Sequence, residues 1–251
     1  MYHTYSIITL LKDRELDTSR ILIIPDLHFP YCHPDSLDFL RKLKLTLNPT
    51  LVICGGDELD YHALSFHDSD PDLDSSGREL VLALGYIDTL HELFPKMMLL
   101  ESNHGSLVYR KAKHHSMPKH LLKSYNDVLG VPSDDWNWHD EIILELPNGR
   151  KCKLVHSASS NVLAASQLCG MSLVQFHYHS SFELRYWDAG YGLNFAITAS
   201  CLVDDKSLAM AYNKLHSKRP IMGAVFIENS LPHLIPMFRD ENNRWIGTKI
   251  Q

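Results

Sequence analysis

A chain of 251 residues that is 45% hydrophobic can close one large core, and its 22% charged and 10% aromatic residues exclude a disordered protein. A net charge of −6 excludes a molecule whose whole field attracts polyanions, leaving that task to local basic patches. Five scattered cysteines (Cys32, Cys54, Cys152, Cys169, Cys201) form no Cys-x-x-Cys pair, which excludes a disulfide framework and reads as reduced thiols in the cytoplasm.

Ile7 to Leu11 is apolar, but Lys12 and Asp13 end it too soon for a signal-peptide core, and no later run has the length of a membrane span. Arg20 to Pro25 and Thr50 to Cys54 are continuous apolar runs and predict buried strands. Between them a helix starts at Asp35 or Ser36, with an apolar face through Leu37, Leu40, Leu43 and Leu47. Ser75 to Phe94 predicts a longer helix carrying Leu80, Leu84, Ile87, Leu90 and Phe94, and Met97 to Glu101 the next buried strand. A polar helical stretch follows, interrupted at Pro118. Glu141 to Leu146 and Lys151 to Val155 flank Pro147-Asn148-Gly149-Arg150 as a hairpin. Leu173 to Phe176, Phe195 to Ala199, Gly223 to Glu228 and His233 to Phe238 complete the strands. The order predicts an α/β fold with two facing sheets and outer helices, in one domain over 1–251 without linker or repeat.

Histidine is in excess, with 16 copies, and several stand just past predicted strands. Asp26 and His28 follow the first strand, two residues apart, so both side chains can reach one ion. Asp57 follows the second strand after Gly55-Gly56, where the backbone can turn tightly, with Asp60 three residues on. Asn103 and His104 follow the third strand, His156 another, and His177-x-His179 repeats the two-apart spacing. Parallel strands present their carboxyl ends along one edge, so the residues after the first three strands converge on one rim. Singly each has an ordinary reading as a turn, a cap or a strand-end residue. A mixed set of carboxylates, imidazoles and one amide oxygen suits manganese, iron, zinc or a similar ion.

In this order and spacing the stretches Asp26-x-His28, Gly56-Asp57-x-x-Asp60, Asn103-His104, His156 and His177-x-His179 resemble the calcineurin-like metallophosphoesterase family, whose small members are often carried by bacteria and phages. The resemblance implies a sandwich of two mixed β-sheets flanked by helices. It implies two divalent metal ions, Mn2+ first among them, with Fe, Zn, Ni or Mg as alternatives. Asp26, His28 and His179 would bind one ion, Asn103, His156 and His177 the other, and Asp57 would bridge them. Hydroxide held between the ions would attack the phosphorus, with His104 as general acid and Asp60 holding His104 or Asp57 in orientation. Two departures stand out: Ser102-Asn103-His104-Gly105 replaces the usual Gly-Asn-His-Asp/Glu, and Phe176 stands where a glycine usually precedes His177.

Between Asn103 and Asn126 lie Arg110, Lys111, Lys113, Lys119 and Lys123, three histidines and no acid. Arg110, Lys111 and Lys113 are therefore candidate substrate-binding residues, with a solvated helix face as the ordinary alternative. Glu58 to Glu79 is acidic and reads mainly as an exposed loop capping the next helix; Asp68-x-Asp70-x-Asp72 lacks the glycine of a calcium loop. Trp136, Trp138, Tyr178, Tyr186 and Trp187 are either base-stacking or core aromatics. The reading reached is a phosphodiesterase or nuclease acting on nucleotide or nucleic-acid diesters. A phosphomonoesterase for nucleotides or phosphoproteins is the second reading, and a non-catalytic binding scaffold on the same fold the third. No membrane partner is expected; a homodimer is compatible with the sequence.

Overall fold

Residues 16–65, 72–206 and 219–247 are described by the structure, a computed structural model. In chain order, β1 (Arg20–Ile24) leads through α1 (Ser36–Leu47) to β2 (Leu51–Cys54), and α2 (Ser76–Leu93) carries the chain to β3 (Met97–Leu100). Short helices α3 (Leu107–His114) and α4 (Tyr125–Leu129) precede β4 (Trp136–His139), then β5 (Ile142–Glu145) and β6 (Lys151–Val155) form the hairpin. After α5 (Val162–Cys169) come β7 (Ser172–Gln175), β8 (Glu183–Asp188), β9 (Leu193–Thr198), β10 (Gly223–Glu228) and β11 (Leu231–Pro236). The first sheet has the order β11-β10-β1-β2-β3-β4 and the second β5-β6-β7-β9-β8. β1 to β4 run parallel, as do β6, β7 and β9, while β5, β8, β10 and β11 pair antiparallel with their neighbours. This is the expected architecture of two mixed sheets flanked by helices.

The continuous apolar runs are explained by burial on both faces. Alternate residues of β1 to β3 (Ile21, Ile23, Ile53, Met98, Leu100) pack against the second sheet through Leu144, Leu154, Val174, Phe176 and Ile197. Their neighbours (Leu22, Ile24, Val52, Cys54, Leu99) face α1 and α2, meeting Phe39, Leu40, Leu43, Ala83, Ile87 and Leu90. Each such fully buried aliphatic side chain contributes ~1.5–3 kcal/mol relative to an exposed one. α5 closes the outer face of the second sheet with Val162 on Leu173 and Ala196.

The structure corrects several local expectations. α1 starts with Asp35 in the N-cap position, but that carboxylate makes no cap hydrogen bond. It accepts instead from Arg244 Nε at 2.9 Å and from the Trp245 N–H at 2.9 Å, tying the C-terminal segment to the helix. The buried face of α1 is Phe39, Leu40 and Leu43, with Leu37 and Leu47 only partly covered. Ser75 caps α2 by accepting from Arg78 N. Neither end of the acidic stretch is an exposed loop: Asp60 and Glu79 are both buried. Ile7 to Leu11, Asp68 and Asp70 lie outside the described residues. β4 and β8, edge strands in their sheets, escape the sequence reading, because Trp136–His139 alternates over only four residues and Glu183–Asp188 carries neither clean alternation nor an apolar run. Among the described residues no helix is long and apolar enough to cross a membrane.

Candidate metal centre

The loops after β1 and β2 continue side by side past the strand ends. The N–H groups of Leu27 and His28 donate to the Asp57 carbonyl (3.2 and 2.8 Å), Phe29 N–H to the Glu58 carbonyl (2.8 Å), and Asp60 N–H returns to the Phe29 carbonyl (3.0 Å). Three candidate ligands sit in the left-handed region, with φ of 51° at His28, 49° at Asp57 and 69° at His177. Such conformations cost ~1–3 kcal/mol each for residues with side chains and persist where the surroundings fix them. Here that backbone turns five strand ends inward to one point.

Gly55 and Gly56 make the approach possible. A Cβ on Gly55 would lie 2.2 Å from the Phe176 ring, and Gly56 has a φ of 94° with its missing Cβ 2.7 Å from the Leu100 carbonyl oxygen. The buried Phe176 therefore packs directly on the Gly55 backbone, one residue before His177. Gly55→Ala should displace the ring and with it the loop carrying His177, destabilising the fold by ~1–3 kcal/mol as overpacking does. Chemical denaturation together with metal titration would measure both effects; an unchanged midpoint would show that the contact is easily relieved.

The structure brings all seven candidate ligands together. Asp26, His28 and His179 offer ligand atoms within 4.8 Å of one another, as do Asp57, His156 and His177. Asn103 Oδ1 joins the second group, 2.7 Å from His156 Nε2 and 3.1 Å from His177 Nδ1. Asp57 lies between the groups, its Oδ2 3.5 Å from His28 Nε2 and 3.4 Å from His156 Nε2. Asp26 Oδ2 is 3.0 Å from His179 Nε2 and accepts the His177 backbone N–H at 2.9 Å.

Tautomers follow from the partners. His28 Nδ1 meets Asp60 Oδ1 at 2.6 Å and His156 Nδ1 meets the Gly55 carbonyl at 2.8 Å. Both acceptors require a proton on Nδ1, which aims each Nε2 into the centre. His28 Nε2 and Asp26 Oδ1 are buried without a hydrogen-bond partner. Orphaned polar atoms of that kind, in a mixed nitrogen and oxygen donor set, fit divalent ions.

Without ions the centre stores protons. Burial alone would lower the His156 pKa, but the Asp26 and Asp57 carboxylates raise it to about 10. Burial would raise Asp57, yet His156, His28 and His104 hold its carboxyl well below the usual range. His177 is lowered by burial and by the neighbouring His156.

His104 stands beside this centre. Its backbone N–H donates to Asp57 Oδ1 at 3.0 Å, and its Nδ1 is hydrogen-bonded to the Asp60 carbonyl. Burial pushes the imidazole down, and Asp57 and Asp60 more than offset it, leaving the pKa raised. Because the carbonyl can only accept, Nδ1 keeps its proton and Nε2 is the exchanging atom. His28, Asp57 and His104 also fall within ligand distance of one another, so this geometry by itself admits His104 as a ligand. Asp60 differs from the expectation. Its carboxylate orients His28, with Oδ1 3.8 Å from His104 Nδ1, and it is the Asp60 backbone that holds His104.

Glu58 is a participant the sequence reading missed. It is fully buried behind Asp57, accepting from Trp138 Nε1 at 3.0 Å and Tyr125 Oη at 3.3 Å. Burial pushes its carboxyl up to about 7, its own hydrogen bonds only partly offsetting that. A folded pKa raised above the ordinary 4.5 stabilises fully below pH 4.5, and that stability is lost as pH rises through about 7. In chelator-treated protein, Glu58→Gln should flatten the fall in unfolding free energy between these pH values by roughly 1–3 kcal/mol. Parallel curves for the two proteins would refute a protonated Glu58. The signal available in the sequence was only an acid directly after a ligand candidate.

Of the candidate substrate residues, Arg110 reaches the rim, its Nη1 3.5 Å from the Asn103 carbonyl. Lys111 is half-buried and Lys113 exposed, farther along α3. Lys119 stands 5.4 Å over the Tyr109 ring on the same surface. Trp136 is core and donates to the Phe94 carbonyl, Trp187 donates to Ser166 Oγ, and Tyr186 is exposed on β8. Tyr178 lies edge-on to His177 at 5.3 Å.

No family model matches the chain, and no curated protein matches it. Among solved structures it is similar to the crystal structure of Chaetomium thermophilum Vps29, with 12% sequence identity over 90% of this chain and 92% of that one and a TM-score of 0.43.

Proposed function

We propose that the chain is a metal-dependent phosphoester hydrolase, and within that class a phosphodiesterase acting on nucleotide or nucleic-acid diesters. The observation that supports it is two ligand groups sharing Asp57, with His104 alongside and held through its Nδ1. Asp26, His28, His179 and Asp57 would hold one ion, and Asp57, Asn103, His156 and His177 the other. Bound ions would supply a water of lowered pKa and positive charge against the phosphate oxygens. Asp60 holds His28 by its carboxylate and His104 by its carbonyl, so one residue orients a ligand and the acid together. His104 Nε2 would pass a proton to the departing alcohol oxygen. Arg110, with Lys111 and Lys113 along α3, would meet the next phosphates of a longer polyanion, which favours the diester.

The test is hydrolysis of bis-p-nitrophenyl phosphate and p-nitrophenyl phosphate by metal-stripped protein before and after adding Mn2+. Metal-dependent cleavage of the diester is expected. Cleavage of the monoester alone would move the reading to a phosphatase, and silence on both with two ions bound would remove the hydrolase reading for simple esters.

A further inference from the structure

Ser102 sits, buried, between the two loops that carry Asp57 and His104. Its Oγ accepts the Asp57 backbone N–H at 3.0 Å and the Gly105 N–H at 3.1 Å. With the His104 N–H donating to Asp57 Oδ1 at 3.0 Å, the turn from 102 to 105 is fastened to Asp57 at two points and closed on itself at a third. One hydroxyl thus ties the Asp57 backbone to the segment that places His104.

The space around that hydroxyl is closed. A Cβ on Gly105 would lie 3.0 Å from Ser102 Oγ, and a Cβ on Gly56 would lie 2.7 Å from Ser102 Cβ. The side chain at 102 fits because positions 56 and 105 have none. Gly105 also lacks the positive φ that would by itself call for glycine; a Cβ there would instead require the Ser102 hydroxyl to give by a few tenths of an ångström.

We infer that Ser102 is a positioning residue for His104 and Asp57, coupled to Gly105, so that a side chain at 102 and one at 105 are alternatives in holding this turn. The inference takes its rate readout from the phosphoesterase reading and its coupling readout from stability alone. A Ser102→Ala protein leaves the buried Asp57 N–H and the part-buried Gly105 N–H without their acceptor while changing little volume.

The experiment compares wild type, Ser102→Ala, Ser102→Gly, Gly105→Asp and the double variant Ser102→Gly/Gly105→Asp. Measured are Mn2+-dependent kcat and KM on bis-p-nitrophenyl phosphate, bound metal, and unfolding midpoints without metal. Ser102→Ala is expected to lose about 10- to 100-fold in kcat with KM and metal content held, the pattern of a displaced acid. Gly105→Asp should lower the midpoint of the wild type and do so by clearly less in the Ser102→Gly background, a coupling that neighbours in contact show. Equal effects of Gly105→Asp in both backgrounds, or wild-type kcat in Ser102→Ala, would overturn the inference. A wild type without metal-dependent hydrolysis would sink the phosphoesterase reading instead, and the midpoints would then decide the coupling.

Discussion

His104→Ala is expected to reduce kcat on a phosphodiester by about 10²–10⁴-fold while leaving two metal ions bound per chain. The ring is held from one side only: Nδ1 is committed to the Asp60 carbonyl, and the backbone N–H to Asp57 Oδ1, so the side chain can be removed without disturbing the shared carboxylate. Burial pushes its pKa down, and Asp57 and Asp60 more than offset that, so the pKa is raised and the protonated ring is favoured. A general acid must carry its proton, so activity should fall as pH rises through a value above that of an ordinary histidine, and this limb should vanish in the variant. The loss should also grow with the basicity of the leaving alcohol, because a poor leaving group needs the proton more. Metal analysis separates the alternatives. A metal content that falls with the side chain would make His104 a ligand, as the His28, Asp57 and His104 grouping allows, and full activity would remove it from the chemistry.

How far such a site can be read before its structure depends on where its information lies. Asp26, His28, Asp57, Asn103 and His104 stand just past parallel strands of one sheet and share its edge, whereas His156, His177 and His179 follow strands of the other sheet, and only the resemblance brought them to the same centre. Asp60 shows the limit. Spacing placed it near the site but could not say whether its carboxylate or its carbonyl would face a given imidazole; the left-handed turns at His28 and Asp57 settle that. Glu58 was illegible because its partners, Tyr125 and Trp138, come from elements 67 and 80 residues away, one of them a strand of only four residues. Ser102 and Gly105 read as losses from a motif, whereas the geometry joins them through one hydroxyl. In the fold, runs buried on both faces were visible, and so were the edge strands β5 and β11 with their apolar runs, whereas the short β4 and the polar β8 were not.

Asp57→Asn should empty both metal positions together, taking bound metal from two per chain to below one, with activity at background. Asp57 Oδ2 faces His28 Nε2 of one ligand group and His156 Nε2 of the other at nearly equal distance. An amide keeps the acceptor for the His104 N–H but removes the charge that two cations would share. If its NH2 turns inward, it opposes both positions at once. The same substitution alters the metal-free protein in a direction that can be worked out. His156 has a folded pKa of about 10, above its ordinary 6.5, so it stabilises fully below pH 6.5 and that contribution is lost as pH rises through about 10. At pH 7 the metal-free wild type therefore holds a protonated His156 paired with Asp57 and Asp26, and Asp57→Asn should lower its stability by a few kcal/mol. Binding an ion must expel that proton, because a ligating imidazole is neutral. Mn2+ titrated into unbuffered wild type at pH 7 should thus release protons, with apparent affinity rising toward pH 10. In the Asp57→Asn protein, the release should shrink with the metal binding itself. Retention of two ions by Asp57→Asn would rule out the bridging role, whereas loss of one ion alone would assign Asp57 to a single position and divide the centre into two unequal sites.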